Sequence, residues 1–230
     1  MATAHQTQQL EKRLREYRKK YLTKQQNLEL DESATRLMVN YFLTGVMGYV
    51  ELDDIKTEYN IRGEYADYVI QLARKKHFVI EVKSIQIDLN DRHLRQSMSY
   101  AANEGIDWIL LFNGKQIQLY RVLFGKPISN HKVFDFDLSD LSSMKTASEH
   151  LIHLTKSSVL KGEMDVYWKR FDALTPASLI KTIYSADVIK AIRLKIKKNS
   201  GINFDQEDVL DAVHELVTHE CEAVKPKTLK

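Results

Sequence analysis

The stretch Ala66-Asp67-Tyr68-Val69-Ile70 is followed, after a short charged break, by Phe78-Val79-Ile80-Glu81-Val82-Lys83. Both are apolar runs of strand length, and three charges ride on them. Successive side chains of a strand alternate faces, so Glu81 and Lys83 share one face about 6.6 Å apart along the chain, while Phe78, Ile80 and Val82 point the other way. The intervening Arg74-Lys75-Lys76 is short enough to fold the two runs into a hairpin, which carries the Asp67 carboxylate towards Glu81. Two carboxylates beside one lysine suit a hard divalent cation and a water.

Outward from this pair, Ile55, Thr57, Tyr59 and Ile61 alternate as a strand does, and Arg62-Gly63-Glu64 turns into the Asp67 run, giving a three-stranded meander. Asp91 to Glu104 reads as a helix with Leu94, Met98, Ala101 and Ala102 inward and Arg92, Gln96 and Tyr100 along another stripe. Gly105 ends it. The wholly apolar Trp108-Ile109-Leu110-Leu111-Phe112 suits a strand covered on both faces, and Asn113-Gly114 makes a tight hairpin into Gln116 to Tyr120. A strand, a helix and a strand in succession imply a right-handed crossover and a mixed sheet.

Towards the N-terminus, Leu10, Leu14, Tyr17 and Tyr21 recur at helical spacing, which predicts a peripheral helix within residues 1–24. Asp31 can cap a second helix running through Leu37, Met38, Tyr41 and Phe42, with Glu32 in its first turn. A first-turn glutamate also favours the helix dipole and can pair with Arg36 at i+4, without any catalysis. From Leu138 onward the apolar spacing is helical throughout; Gly201 separates the last two helices and Asp205 caps the final one. The expected divisions are therefore 1–24, a core over 25–140, and a helical region over 141–230.

In that order, Glu32, Asp67, Glu81-Val82-Lys83, Gln96 and Tyr100 resemble the PD-(D/E)XK nuclease superfamily. Asp67 stands as the motif aspartate, Glu81-Val82-Lys83 as the (D/E)XK element, and Gln96 and Tyr100 at QxxxY spacing. The series is most similar to the N-terminal nuclease domain of type I restriction enzyme R subunits, over about residues 25–140. Ala66 stands where the family name has proline, which is not a catalytic group.

The resemblance implies an α/β, restriction-endonuclease-like mixed β-sheet flanked by helices, with a C-terminal helical extension. It implies a DNA endonuclease that hydrolyses phosphodiester bonds with Mg²⁺, for which Mn²⁺ can substitute. Asp67, Glu81 and the Val82 carbonyl would hold the metal and Lys83 would orient the attacking water. Glu32 would hold a metal-bound water or a second cation, and Gln96 and Tyr100 would steady the nucleic acid or Lys83. Arg74, Lys75 and Lys76 are the expected DNA contacts. Expected partners are DNA, a second copy of the chain, or other restriction and defence subunits. The alternative is a non-cutting DNA-binding or regulatory module that keeps the fold.

Bulk properties narrow the classes. The 230 residues, 43% hydrophobic, allow one good core and a smaller helical appendage. One cysteine, Cys221, supplies neither a disulfide framework nor a cysteine-rich zinc site, which reads as a cytoplasmic protein. Met1 to Lys24 has no apolar core, so no signal peptide is expected, and no run approaches the roughly 18 apolar residues of a membrane span. Net charge is only +3, from 34 Lys and Arg against 31 Asp and Glu, so the clusters Lys12 to Lys24, Arg74 to Lys76 and Lys190 to Lys198 carry more information than the total. No G-x-x-x-x-G-K-[ST] loop occurs, so an ATP-driven motor is not expected in this sequence. The histidines, His93 among them, make no convincing metal spacing.

Overall fold

The computed structural model describes residues 2–61 and 64–218, and the side chains of these except 58–65. Arg62 and Gly63 of the expected turn, Cys221 and the Lys225-Pro226-Lys227 end lie outside them. Two compact units result, 1–167 and 168–230.

The first unit is built on one six-stranded sheet: β1 (Ile55–Ile61), β2 (Glu64–Leu72), β3 (Lys75–Val82), β4 (Trp108–Phe112), β5 (Gln116–Leu123) and β6 (Ser129–Asp137). The strands lie in chain order, and every neighbouring pair is antiparallel except β3 and β4. That parallel step is the crossover anticipated from the sequence. It runs through a 3-10 turn, Asp91–His93, which Asn90 caps by accepting from the Arg92 amide at 3.0 Å, and then α3 (Leu94–Glu104), which Gly105 closes at φ 65°.

Pairing of Val69 with Val79, Val79 with Ile109 and Ile109 with Tyr120 puts these residues on one sheet face. There they form a core with Leu94, Tyr100 and Ala101 of α3. The opposite face presents Phe78, Ile80 and Phe112. It is covered by α2 (Glu32–Tyr41), by the π-helical turn Phe42–Val46 that continues it, and by α1 (Ala4–Tyr21). Phe42 meets Phe112 with ring centroids 4.7 Å apart, and Tyr17 meets Phe42 at 5.3 Å. Asp31 caps α2 through its carboxylate, which accepts from the Ala34 amide at 2.8 Å.

The N-terminal helix is not peripheral. Leu10, Leu14 and Tyr17 are completely buried, and the Tyr17 hydroxyl donates to the Gly114 carbonyl at 2.6 Å, inside the β4–β5 connection. An apolar stripe shows only that a helix packs on something; here the partners are the π-helical turn and α4 (Met144–Leu151). The β2–β3 hairpin also differs from expectation. Its loop is Ala73-Arg74, both at positive φ (48° and 67°), and Lys75 and Lys76 already belong to β3. After α4 come α5 (Lys156–Leu160) and α6 (Glu163–Ala173), the second of which runs from the first unit into the second.

The second unit contains α7 (Pro176–Ile183), α8 (Ala186–Ser200) and α9 (Gln206–Thr218). Ile189, Val209 and Val213 form its small core, with Ile183, Ile192, Ile196, Phe204 and Val217 around it. Gly201 ends α8 at φ 75°, and Asp205 caps α9 by accepting from the Asp208 amide at 2.8 Å. No described helix is long and apolar enough to cross a membrane.

Candidate active site

Pairing of Tyr68 with Ile80 and Val69 with Val79, carried one step further, sets Asp67 opposite Glu81 on the α3 face of the sheet. Opposed residues of an antiparallel pair hold their Cβ atoms about 4.5 to 5.5 Å apart. Lys83 follows the last residue of β3, and its amide donates to the Phe112 carbonyl at 3.2 Å, which keeps the chain extended past the strand. Glu81 is 3% exposed.

Every oxygen of the two carboxylates accepts a hydrogen bond. Asp67 Oδ2 accepts from the Val82 amide at 2.7 Å, and Asp67 Oδ1 from the Arg36 guanidinium. Glu81 Oε1 accepts from Lys83 Nζ at 2.6 Å, and Glu81 Oε2 from Ser97 Oγ at 2.9 Å. Glu32 stands between the two cations, with Oε1 3.3 Å from Arg36 Nη2 and Oε2 4.0 Å from Lys83 Nζ. The signs therefore alternate along Asp67, Arg36, Glu32, Lys83 and Glu81. Three carboxylates against two cations leave one net negative charge.

Burial sets the protonation tendencies. It pushes the Glu81 carboxyl above its ordinary range, reinforced by the like charge of Asp67 and opposed by Lys83 and Ser97. Burial alone would lower the Lys83 ammonium, but its hydrogen bond to Glu81 and the charges of Glu81, Glu32 and Asp67 outweigh this and raise it. Arg36 behaves in the same way: desolvation works against its charge, and Asp67 and Glu32 more than compensate. His93, lowered by burial and then by the charge of Lys83, lies within the same field.

Of the residues singled out from the sequence, Glu32, Asp67, Glu81, Val82 and Lys83 come together. Tyr100 is buried at 1% exposure in the core between α3 and the sheet. Gln96 is on the exposed side of α3. The α3 side chain that reaches the carboxylates is Ser97, which sequence reasoning missed, although a serine on the apolar stripe of Leu94 and Ala101 was a usable signal. Arg36 was also missed as a site residue. Its pairing with Glu32 was expected, but the reach to Asp67 depends on how α2 packs. Arg74, Lys75 and Lys76 lie at the opposite end of β3: six steps at about 3.3 Å separate Lys75 from Glu81, about 20 Å. Lys76 is paired there with Glu104.

Among the described residues, no group of three or more His, Cys, Asp or Glu is placed to hold a metal ion. Mg²⁺ does not need one, because it keeps several waters and takes one or two carboxylates. Asp67 and Glu81 are hard oxygen donors, with Asp67 close enough to raise the Glu81 carboxyl, and each oxygen retains a lone pair beyond the hydrogen bond it accepts. The donor set therefore fits a small divalent cation, with the protein cations Arg36 and Lys83 as its competitors.

Neither curated proteins nor solved structures give a match to this chain. A family match is found over residues 31–130, to the type I restriction enzyme R protein N terminus. That segment contains β1 to β5, α2, α3 and every residue of the charge cluster, and it is similar to the N termini of type I restriction enzyme R proteins.

Proposed function

We propose that this segment is a divalent-cation-dependent deoxyribonuclease acting in restriction or defence. The observation that carries the reading is the pairing of Asp67 and Glu81 on adjacent strands with Lys83 hydrogen-bonded to Glu81 at 2.6 Å. Asp67 and Glu81, with the main-chain carbonyl of Val82, would hold Mg²⁺ or Mn²⁺. Bound there, the cation supplies charge relief on the phosphate and an acidified water.

The chain's own groups then divide the work. Lys83, hydrogen-bonded to Glu81 at 2.6 Å, would donate to the attacking water and share the phosphate's charge. Ser97 holds the Glu81 carboxylate in one rotamer from behind. Glu32 keeps Lys83 and Arg36 apart as like charges. DNA phosphates flanking the cut can reach the basic hairpin end at Lys75 and Lys76, about 20 Å away, which is about six steps of a duplex at 3.4 Å. Partner subunits of a restriction system, or a second copy of the chain, belong to the same reading.

One observation favours the second reading, a DNA-binding module that does not cut. All four carboxylate oxygens already accept from protein donors, as in a site that has become a structural ion-pair cluster. Incubation with circular and linear DNA, with and without Mg²⁺ or Mn²⁺, beside Glu81→Ala, separates the two. The nuclease reading expects cutting by the wild type only, and only with a divalent cation. Binding without cutting under all conditions supports the module.

A further inference from the structure

We infer that Arg36 is a resident counter-ion of this site, which a divalent cation displaces from Asp67 and which then serves the DNA phosphate. The inference rests on the nuclease reading above and gives one residue two successive positions.

Three observations lead to it. Arg36 reaches Asp67 from α2, and that bond covers Oδ1, the one Asp67 oxygen not engaged by the main-chain amide of Val82. A cation approaching Asp67 therefore meets a guanidinium already in place. Second, the root of Arg36 and its head are held differently. The Arg36 carbonyl accepts from the Tyr68 hydroxyl at 3.4 Å on the packed side of α2, whereas its side chain is 34% exposed and is held through Nη2 by two carboxylates, Asp67 and Glu32. The guanidinium can swing while the helix stays fixed. Third, the charges require a response. The five groups from Asp67 to Glu81 sum to one negative charge with Arg36 in place. A divalent cation beside Asp67 and Glu81 makes the sum positive and sets Arg36 and the metal against each other as like charges a few ångströms apart.

Glu32 gives Arg36 a second anchor on the same helix, at 3.3 Å, so release from Asp67 leaves the guanidinium tethered at the mouth of the site. A planar, permanently charged fork is suited to phosphate oxygens. The same displacement explains how the carboxylate pair stays neutralised before metal arrives: without Arg36, Asp67 and Glu81 would face each other uncompensated except by Lys83.

The test uses the full chain and Mn²⁺ alone as probe. Calorimetric titration should show Arg36→Gln binding Mn²⁺ about tenfold more tightly than the wild type, because no protein cation competes for Asp67. In the wild type, phenylglyoxal modification of Arg36, followed by mass spectrometry, should be several-fold faster at saturating Mn²⁺ than without it; this arm needs no variant to fold. On DNA at saturating Mn²⁺, Arg36→Gln should cut at least tenfold more slowly despite its tighter metal binding. Arg36→Gln affinity equal to or weaker than wild type, or a labelling rate at Arg36 indifferent to Mn²⁺, overturns the counter-ion role. Undiminished cutting by Arg36→Gln overturns the phosphate role. Absence of Mn²⁺ binding to the wild type overturns the nuclease reading itself, and this inference with it.

Discussion

Ser97 Oγ donates to Glu81 Oε2 at 2.9 Å, and both residues are buried, at 1% and 3% exposure. A buried carboxylate retains its charge only if its oxygens are satisfied, and a hydrogen bond to a charged group is worth about 1.5 to 3 kcal/mol. Ser97→Ala should therefore cost about 2 kcal/mol, read as a fall of roughly 4 to 8 °C in a thermal melt. It should also slow cutting, since Glu81 Oε2 would lose the bond that fixes the carboxylate's orientation. A variant with the wild-type melt and rate would show that the Lys83 bond alone fixes Glu81.

The N-terminal helix offers an independent test of the fold. Leu14 is fully buried on its inner face, so Leu14→Ala should cost about 2 to 5 kcal/mol, the range for a core leucine. Removal of the whole helix should leave Phe42 and the rest of the π-helical turn uncovered and the first unit unfolded by circular dichroism. A folded truncation would return the helix to the periphery.

At the β2–β3 turn, Ala73 and Arg74 both occupy the left-handed region, which costs an L-residue roughly 1 kcal/mol or more, and a two-residue hairpin loop favours Asn-Gly there. Ala73→Asn combined with Arg74→Gly should raise stability by about 1 kcal/mol in a urea titration. Because this turn is about 20 Å from Glu81, the cutting rate on a short duplex should not change.

His150 gives the pH dependence. Its ring lies among Phe134, Phe136 and Tyr167, with Nδ1 in hydrogen-bond contact with the Tyr167 hydroxyl. Burial lowers its pKa, against a smaller opposing effect of Glu149. A folded-state value below the unfolded one means that His150 contributes stability above the ordinary histidine range, lost as pH falls through the lowered value. Melting temperatures measured from pH 7.5 to 5 should fall in the wild type and fall less in His150→Gln. Parallel curves would assign the acid loss to other groups.

The two strands and their acidic pair were legible because they depend on local rules. Period-two alternation sets which side chains share a face, and a short break between apolar runs sets the hairpin, so Asp67, Glu81 and Lys83 could be placed side by side from the sequence alone. The partners of those residues come from helices whose approach is tertiary. Arg36 has an obvious neighbour at i−4, Glu32, and nothing in its own helix says that it reaches Asp67 as well. Ser97 interrupts an apolar stripe, which marks it as a buried polar group in need of a partner without naming the partner. Tyr100, three residues on, shares that stripe, and this is why it packs into the core while Gln96 faces outward. The turn escaped because Ala-Arg has none of the residues that tolerate positive φ easily, so the charged triplet Arg74 to Lys76 drew the end of the turn two residues too far along the chain.

The central claim is that Asp67 and Glu81 hold a divalent cation, and a thermal melt of the full chain with titrated Mn²⁺ tests it most directly. A ligand at ten times its Kd adds about 1.4 kcal/mol to the folded state. For a chain of this size that is a rise of roughly 3 to 6 °C. The wild type should show it. Asp67→Asn should lose it and should also start from a lower melting temperature, because an asparagine cannot hold Arg36 as an ion pair. A wild-type melt unmoved by millimolar Mn²⁺ and Mg²⁺, or an equal rise in Asp67→Asn, would contradict the account.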